Sequence, residues 1–100
     1  MKLAWSTRAE AELRDIRTYS VERWGRSIAT DYLRAIQSAA KHAATGKVQL
    51  RPLREGFWSL RVRSHLLLIQ INESETEIIV VRILHSAMDI ERYLPPPLGD

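Results

Sequence analysis

The sequence predicts an α+β fold: an N-terminal short strand, an antiparallel helical hairpin packed on an antiparallel β-sheet (β-α-α-β-β-β), and a short C-terminal helical turn. Apolar residues recur at helical spacing in the first half of the chain and alternate with polar residues in the second half. A chain of 100 residues suffices for one domain with a modest core. We therefore assign residues 1–100 to a single domain, and we expect residues 95–100, which begin with three prolines, to form a flexible tail.

The first half of the chain predicts one strand and two helices. Leu3-Ala4-Trp5 is the strand candidate, and Thr7-Arg8-Ala9-Glu10 has the S/T-x-x-E form of a capping box that opens a helix. This helix is expected to end near Trp24-Gly25, because glycine tolerates the left-handed turn of a C-cap. A second helix is expected to follow Ser27 and to end at Gly46. The short link predicts that the two helices lie antiparallel as a hairpin.

Residues 57–63 predict a strand that is half exposed. Apolar and polar side chains alternate along it, so we expect Arg61 and Arg63 on the sheet face that points away from the helices. The segment before this strand, from Gly46 to Gly56, is expected to be a loop because Pro52 and Gly56 interrupt it.

Residues 65–71 and 77–84 predict two further strands. The first is almost wholly apolar, as expected of a central strand covered on both sides, and Asn72-Glu73-Ser74 supplies its turn. In the second, alternation places Arg82 on one face, together with Ile78, Val80 and Leu84, and the opposite face carries Ile79, Val81, Ile83 and His85. Asp89 is expected to start the terminal helical turn.

Composition limits the chemistry that the chain can perform. The absence of cysteine excludes disulfides, thiolate nucleophiles and cysteine zinc sites, and it is typical of a reducing compartment. The N-terminus has no apolar run of signal-peptide length and the chain has no membrane-spanning run, so we expect a cytoplasmic location. The three histidines lack paired-ligand spacing and there is no phosphate-binding glycine loop. Neither a metal nor a cofactor is therefore predicted.

The basic residues are unevenly distributed. Lys plus Arg outnumber Asp plus Glu by only 15 to 12, too small an excess to indicate nucleic-acid binding. Between Lys47 and His65, however, Glu55 is the only acidic residue, against Lys47, Arg51, Arg54, Arg61 and Arg63. This pattern indicates either a solvated strand edge or a docking surface for an acidic partner.

Four motifs occur in an order that resembles a known family. Arg23-Trp24-Gly25 ends the first helix, Leu53-Arg54-Glu55-Gly56-Phe57 and Ser64-His65 lead into strands, and Val80-Val81-Arg82-Ile83-Leu84 runs into His85-Ser86-Ala87-Met88-Asp89. Together they resemble the ParE branch of the ParE/RelE superfamily of bacterial toxins. Met88-Asp89 after Leu84-His85 matches ParE more closely than RelE.

The resemblance implies a toxin that acts by binding rather than by catalysis. A ParE-type toxin binds DNA gyrase and blocks replication, and a ParD-type antitoxin, a ribbon-helix-helix DNA-binding protein, neutralises it. Contact with nucleic acid would then be indirect, through the antitoxin or the target. The alternative is a RelE-like ribosome-dependent mRNA endoribonuclease, for which the available catalytic groups are His85, Arg61 and Arg82. The pattern favours for His85 the other role, a strand-end histidine that hydrogen-bonds the following turn, because a lone histidine has many such structural uses.

Two sets of residues are our candidates for binding. For the target we predict a surface of Arg61, Arg63 and Arg82 with His85 at its rim. For the antitoxin, whose C-terminal segment wraps the toxin in this family, we predict exposed hairpin positions, namely Arg14, Arg17 and Arg34 with the flanking Trp24. The alternative for the arginines is ordinary solvated helix surface, and for Trp24 it is a core position.

Overall fold

A five-stranded sheet and a helical hairpin form two layers in the computed structural model, which describes residues 1–74 and 76–94. The elements are β1 (Lys2–Trp5), α1 (Thr7–Trp24), α2 (Arg26–Ala44), β2 (Arg51–Arg54), β3 (Phe57–Val62), β4 (His65–Asn72), β5 (Glu77–His85) and a final 3-10 helix (Ile90–Tyr93). The sheet order is β1-β5-β4-β3-β2. β1 runs parallel to β5, and the other neighbours are antiparallel. The predicted fold class is confirmed.

The helical hairpin begins one residue earlier than predicted. The N-cap of α1 is Ser6, which has extended backbone and whose Oγ accepts the N–H of Ala9 at 2.9 Å. The same Oγ donates to the carbonyl of Val81 at 2.6 Å, which ties the start of α1 to β5. Gly25, with φ of 88°, ends α1 as predicted and leads directly into α2.

The core lies between the hairpin and one face of the sheet. Alanines on α2 allow its backbone to approach the strands, where Leu67 and Ile69 are fully buried. Leu68, on the opposite face of β4, is also fully buried. The prediction that β4 is a central strand covered on both sides is therefore confirmed. The buried core comprises Ala9, Ile36, Ala40, Ala43, Ala44, Val62, Leu67, Ile69, Ile78, Val80 and Ile83.

A β-bulge changes the faces predicted for β5. Leu68 pairs with Arg82 and Ile69 pairs with Val80, so Val81 is an extra residue in the ladder. Before the bulge the helix-facing core residues are Ile78 and Val80, and after it the helix-facing core residue is Ile83. The predicted strict alternation, with Ile79, Val81, Ile83 and His85 on one face, is therefore wrong. One extra residue exchanges the faces of every residue beyond it.

Residues 51–54 form β2, where a loop was predicted. β2 lies at the edge of the sheet, and an edge strand tolerates Pro52 because one side of its backbone needs no ladder hydrogen bond. The register shifts between Pro52 and Arg54, and Gly56 has φ of 82° in the turn to β3. In the β2–β3 hairpin, Gly56 is therefore a turn residue and Pro52 is a paired residue of an edge strand next to the irregularity at Leu53.

The last element in the described part of the chain is the 3-10 helix at Ile90–Tyr93. Asp89 is its N-cap and accepts the N–H of Glu91 at 3.2 Å, which confirms the predicted role of Asp89. The tail predicted at residues 95–100 lies outside the described residues. Within residues 1–74 and 76–94 no helix is long and apolar enough to cross a membrane.

Candidate functional site

Three rings meet where α2 crosses the neighbouring ends of β4 and β5. His65 and His85 are paired across the ladder, and their ring centroids lie 5.6 Å apart. Tyr32 projects from α2, with its ring 5.5 Å from that of His65 and its hydroxyl 2.6 Å from His65 Nδ1. The β5 bulge brings His85 to the helix side of the sheet, so the register and the hairpin together assemble this cluster.

The hydrogen bonds define which ring nitrogens are engaged. His85 Nδ1 accepts the N–H of Ala87 at 3.1 Å, so His85 is bonded to the turn that follows β5, one of its two predicted roles. The Tyr32 hydroxyl accepts the N–H of Ser64 at 3.2 Å and can donate its own proton to Nδ1 of neutral His65. Burial, together with the nearby His85, lowers the pKa of His65 below 6.5. This shift favours the neutral form of His65.

The rings line a cavity of about 490 Å³ at the end of the hairpin, lined by Ile16, Tyr19, Ser20, Arg23, Trp24, Tyr32, Ser64, His65 and His85. Tyr19 and Trp24 pack edge to face with centroids 5.9 Å apart, and they remain 55% and 47% exposed. The Arg23 guanidinium lies 5.8 Å from the centre of the Tyr19 ring. Among the described residues, none that lines the cavity carries a carboxylate.

Arg61 and Arg63 lie on different sides of the sheet, contrary to the prediction. Arg61 is on β3 between the core-facing Leu60 and Val62, so it points away from the hairpin. β3 ends at Val62, and Arg63 has φ of 54° in the turn to β4. This conformation carries the Arg63 guanidinium over the Tyr32 ring, 5.4 Å from its centre, on the helix side. The alternation fails at Arg63 because the strand has already ended.

Arg82 lies at the β5 edge in a second polar cluster. Its Nε and Nη2 lie 3.0 and 2.8 Å from Glu12 Oε2, and its guanidinium lies 5.0 Å from the centre of the Tyr93 ring. The other oxygen of Glu12 accepts the N–H of Ile83 at 2.8 Å. Pairing between β1 and β5 stops at Val80. Beyond this point the Glu12 carboxylate, rather than a strand, accepts the backbone N–H of Ile83. The charge of Arg82 is neutralised within the protein.

The predicted antitoxin-binding residues are all exposed. Arg14, Arg17 and Arg34 lie on the outer surface of the hairpin. Trp24 is 47% exposed, so the alternative of a core position is wrong, and it is the one member of this set that lines the cavity. Sequence analysis did not select Tyr32 or His65 for the site. The motif Ser64-His65 was a usable signal for His65, whereas the partner of the Tyr32 hydroxyl depends on packing between distant segments.

Metal binding has no support in the described part of the chain. Among residues 1–74 and 76–94, no group of three or more histidine, aspartate or glutamate side chains is placed to hold a metal ion.

Comparison with known proteins identifies the family. The family model described as "ParE toxin of type II toxin-antitoxin system, parDE" matches residues 3–90. The chain belongs to the ParE toxin family. Toxin ParE1 of Caulobacter vibrioides is 33% identical over 93 residues, which cover 89% of this chain and 93% of the relative. Toxin ParE1 of Mycobacterium tuberculosis is 37% identical over 92 residues, with coverage of 89% and 93%. The resemblance predicted from the motifs is confirmed.

Solved toxin structures share the fold of this ParE family member. The chromosomal ParDE system of P. aeruginosa matches with a TM-score of 0.73 at 22% identity, over 85% of this chain and 95% of that one. The RelBE2 toxin–antitoxin complex of Mycobacterium tuberculosis gives 0.63 at 21% identity, over 87% and 92%. The isolated E. coli RelE toxin gives 0.55 at 12% identity, over 93% and 98%. The chain therefore shares its fold with these three structures.

Proposed function

We propose that this ParE toxin acts in the cytoplasm by binding DNA gyrase and arresting replication without catalysis, and that a ParD-type antitoxin neutralises it. The observation that carries the proposal is the match to the ParE toxin family over residues 3–90, which includes both helices, strands β2 to β5 and all of β1 except Lys2. The relatives that cover most of the chain carry the name ParE1.

The charges favour Arg61 and Arg63 as the residues that contact the target. Both side chains are exposed, and no described residue forms a salt bridge with either of them. Arg82 differs because Glu12 and Tyr93 already engage its guanidinium. We therefore assign target contact to Arg61 on the outer sheet face and to Arg63 in the adjoining turn, whose carbonyl accepts the Arg61 Nε–H at 3.0 Å. His85 lies at the rim of this surface on the helix side, and we assign to Arg82 the positioning of Tyr93.

The test is expression of the toxin in a bacterial host without its antitoxin. We expect growth arrest in which incorporation of labelled thymidine falls before incorporation of labelled amino acids, and rescue when the antitoxin encoded beside the toxin is co-expressed. Purified toxin should inhibit supercoiling by gyrase. Normal growth at high levels of folded protein would contradict the proposal, and so would protein synthesis that stops before DNA synthesis.

A RelE-like ribonuclease is the second candidate, and one observation favours it. His65 and His85 lie 5.6 Å apart beside the Tyr32 hydroxyl, an arrangement that offers two groups for proton transfer. The set predicted from sequence does not come together, since Arg61 faces away from the hairpin and Arg82 is bonded to Glu12. Primer extension on transcripts from toxin-expressing cells tests this candidate, because cleavage at ribosome-dependent positions would support it over gyrase binding.

A further inference from the structure

The cavity beside Tyr32 has exposed aromatic side chains on one side and basic side chains around its opening. Tyr19 and Trp24 leave about half of their surface exposed, and Ile28 on the adjoining turn of α2 is 53% exposed. Arg23 stacks on Tyr19 and Arg63 stacks on Tyr32, so both cations are held at the rim. Exposed tryptophan, tyrosine and arginine grouped around a concave site are the residue types that dominate binding energy at protein interfaces.

We propose that this cavity is the anchor pocket for the antitoxin, which inserts an apolar side chain against Tyr19 and Trp24 and places a carboxylate beside His65, His85 and Arg63. This inference rests on the proposed neutralisation by an antitoxin and specifies where it occurs. Charge complementarity selects an acidic segment as the occupant, because among the described residues the other titratable side chains that line the cavity or lie over its rings are basic or tyrosine. These are Arg23 and Tyr19 from α1, Tyr32 from α2, and Arg63 from the turn before β4.

Anchoring a carboxylate at this point makes binding depend on pH. In the free toxin, burial and the neighbouring His85 lower the pKa of His65, which favours its neutral ring. A bound carboxylate favours the charged imidazolium and raises that pKa. Binding therefore takes up protons between the free and bound pKa values, and affinity increases as the pH falls through that interval. A purely structural role for His65 would produce no such uptake.

The experiment is calorimetric titration of the toxin with the full-length antitoxin encoded beside it, at pH 6, 7 and 8, and in buffers of different ionisation enthalpy. We expect Trp24→Ala to weaken binding by about tenfold or more, because it removes the apolar wall. His65→Asn and His85→Asn should reduce or abolish proton uptake.

Two matched controls lie outside the cavity. Met88→Ala removes another exposed apolar side chain and His42→Asn another exposed histidine, and each should change affinity by less than about twofold.

A small probe separates failure of the pocket from failure of the proposed function. N-acetyl-tryptophan carries an indole and a carboxylate, and its amide lacks the charge. We expect the acid to bind more tightly than the amide, with NMR titration showing a rise in the pKa of His65 and loss of both effects in Trp24→Ala. Equal binding of acid and amide overturns the pocket, as does antitoxin affinity that is unchanged by Trp24→Ala and independent of pH. Those results leave gyrase poisoning intact, whereas absence of growth arrest and of any antitoxin binding by the wild type refutes both proposals.

Discussion

Two polar clusters join the hairpin to the sheet, and they differ in how completely their members bond one another. At the β5 edge, both oxygens of Glu12 are engaged, by Arg82 and by the N–H of Ile83. In the cavity, His65 and His85 each use Nδ1, and no described residue bonds the second nitrogen of either ring. The first cluster is closed, and the second leaves donors and cations available to a partner.

This difference shows what makes a charged residue structural or functional. Arg61 and Arg82 both looked like free cations on strand faces in the sequence. In the fold, Glu12 lies within reach of Arg82, whose side chain is only 19% exposed, whereas Arg61 donates only to the carbonyl of Arg63 among the described residues. A cation with a carboxylate partner stabilises the fold, and a cation without one can bind a partner's anionic group.

Removing the centre of the closed cluster should have the largest effect. Glu12→Ala leaves the charge of Arg82 and the N–H of Ile83 without their acceptor in a site that is mostly shielded from water. We expect a loss of about 2–3 kcal/mol in the free energy of unfolding, measured by chemical denaturation. Glu22→Ala, at an exposed position of the same helix, is the control and should cost no more than about 0.5 kcal/mol. Equal effects of the two variants would mean that the cluster does not stabilise the fold.

Arg61→Ala should reduce target binding and leave stability unchanged, the opposite of what we expect for Glu12→Ala. Stability should change by no more than about 0.5 kcal/mol, because the side chain is exposed and forms no salt bridge with a described residue. Growth arrest and gyrase binding should weaken at least about tenfold, equivalent to about 1.4 kcal/mol. Lys41→Ala, which removes an exposed cation from α2, should leave both unchanged. If Arg61→Ala folds and remains fully toxic, the target surface lies elsewhere, and the terminal turn from Met88 to Leu94 is the next surface to test.

His85→Ala distinguishes a binding toxin from a ribonuclease at the histidine cluster of the cavity. Gyrase binding needs no proton transfer and His85 lies only at the rim of the target surface, so toxicity should stay within about threefold of wild type on the scale of ordinary surface substitutions. The measurement is growth arrest at matched protein levels, with antitoxin affinity and melting temperature determined in parallel. Loss of toxicity with an unchanged melting temperature would favour the ribonuclease, whereas antitoxin affinity reports separately on the role of His85 in the cavity.

Local signals in the sequence were enough to predict most of the fold. The apolar period of the helices and Gly25 locate the hairpin to within one or two residues, because these features act over a single turn. Residues 78–81 are apolar at every position, so they do not indicate which face is buried, and the bulge at Val81 was not predictable. β2 was not predicted for a similar reason, since proline is also tolerated in an edge strand and glycine also serves as a turn residue between strands.

The candidate site was less predictable because it depends on long-range register. Trp24 was selected from its position at the helix end, and that choice needed no tertiary information. The contact between Tyr32 and His65 joins residues 33 positions apart and requires both the hairpin packing and the pairing of His65 with His85. Arg63 reaches Tyr32 only because its backbone adopts a positive φ in a turn that strand alternation does not foresee.

The smallest expected effect is the pH dependence of stability contributed by His65. Burial, with a smaller contribution from His85, lowers its pKa in the folded state, whereas in the unfolded chain the pKa is near 6.5. Between these two values the unfolded state binds more protons, so stability is fully present above pH 6.5 and falls as the pH drops toward the folded-state pKa. Because the His65 ring is partly exposed, the loss of stability should be clearly smaller than that caused by Glu12→Ala.

Melting temperatures from pH 8 to pH 5 should therefore decline less in His65→Asn than in wild type, with His42→Asn behaving as wild type. Identical slopes in wild type and His65→Asn would mean that the cluster tolerates a charged His65 without a partner, and the proton-linked anchoring of a carboxylate would lose its physical basis.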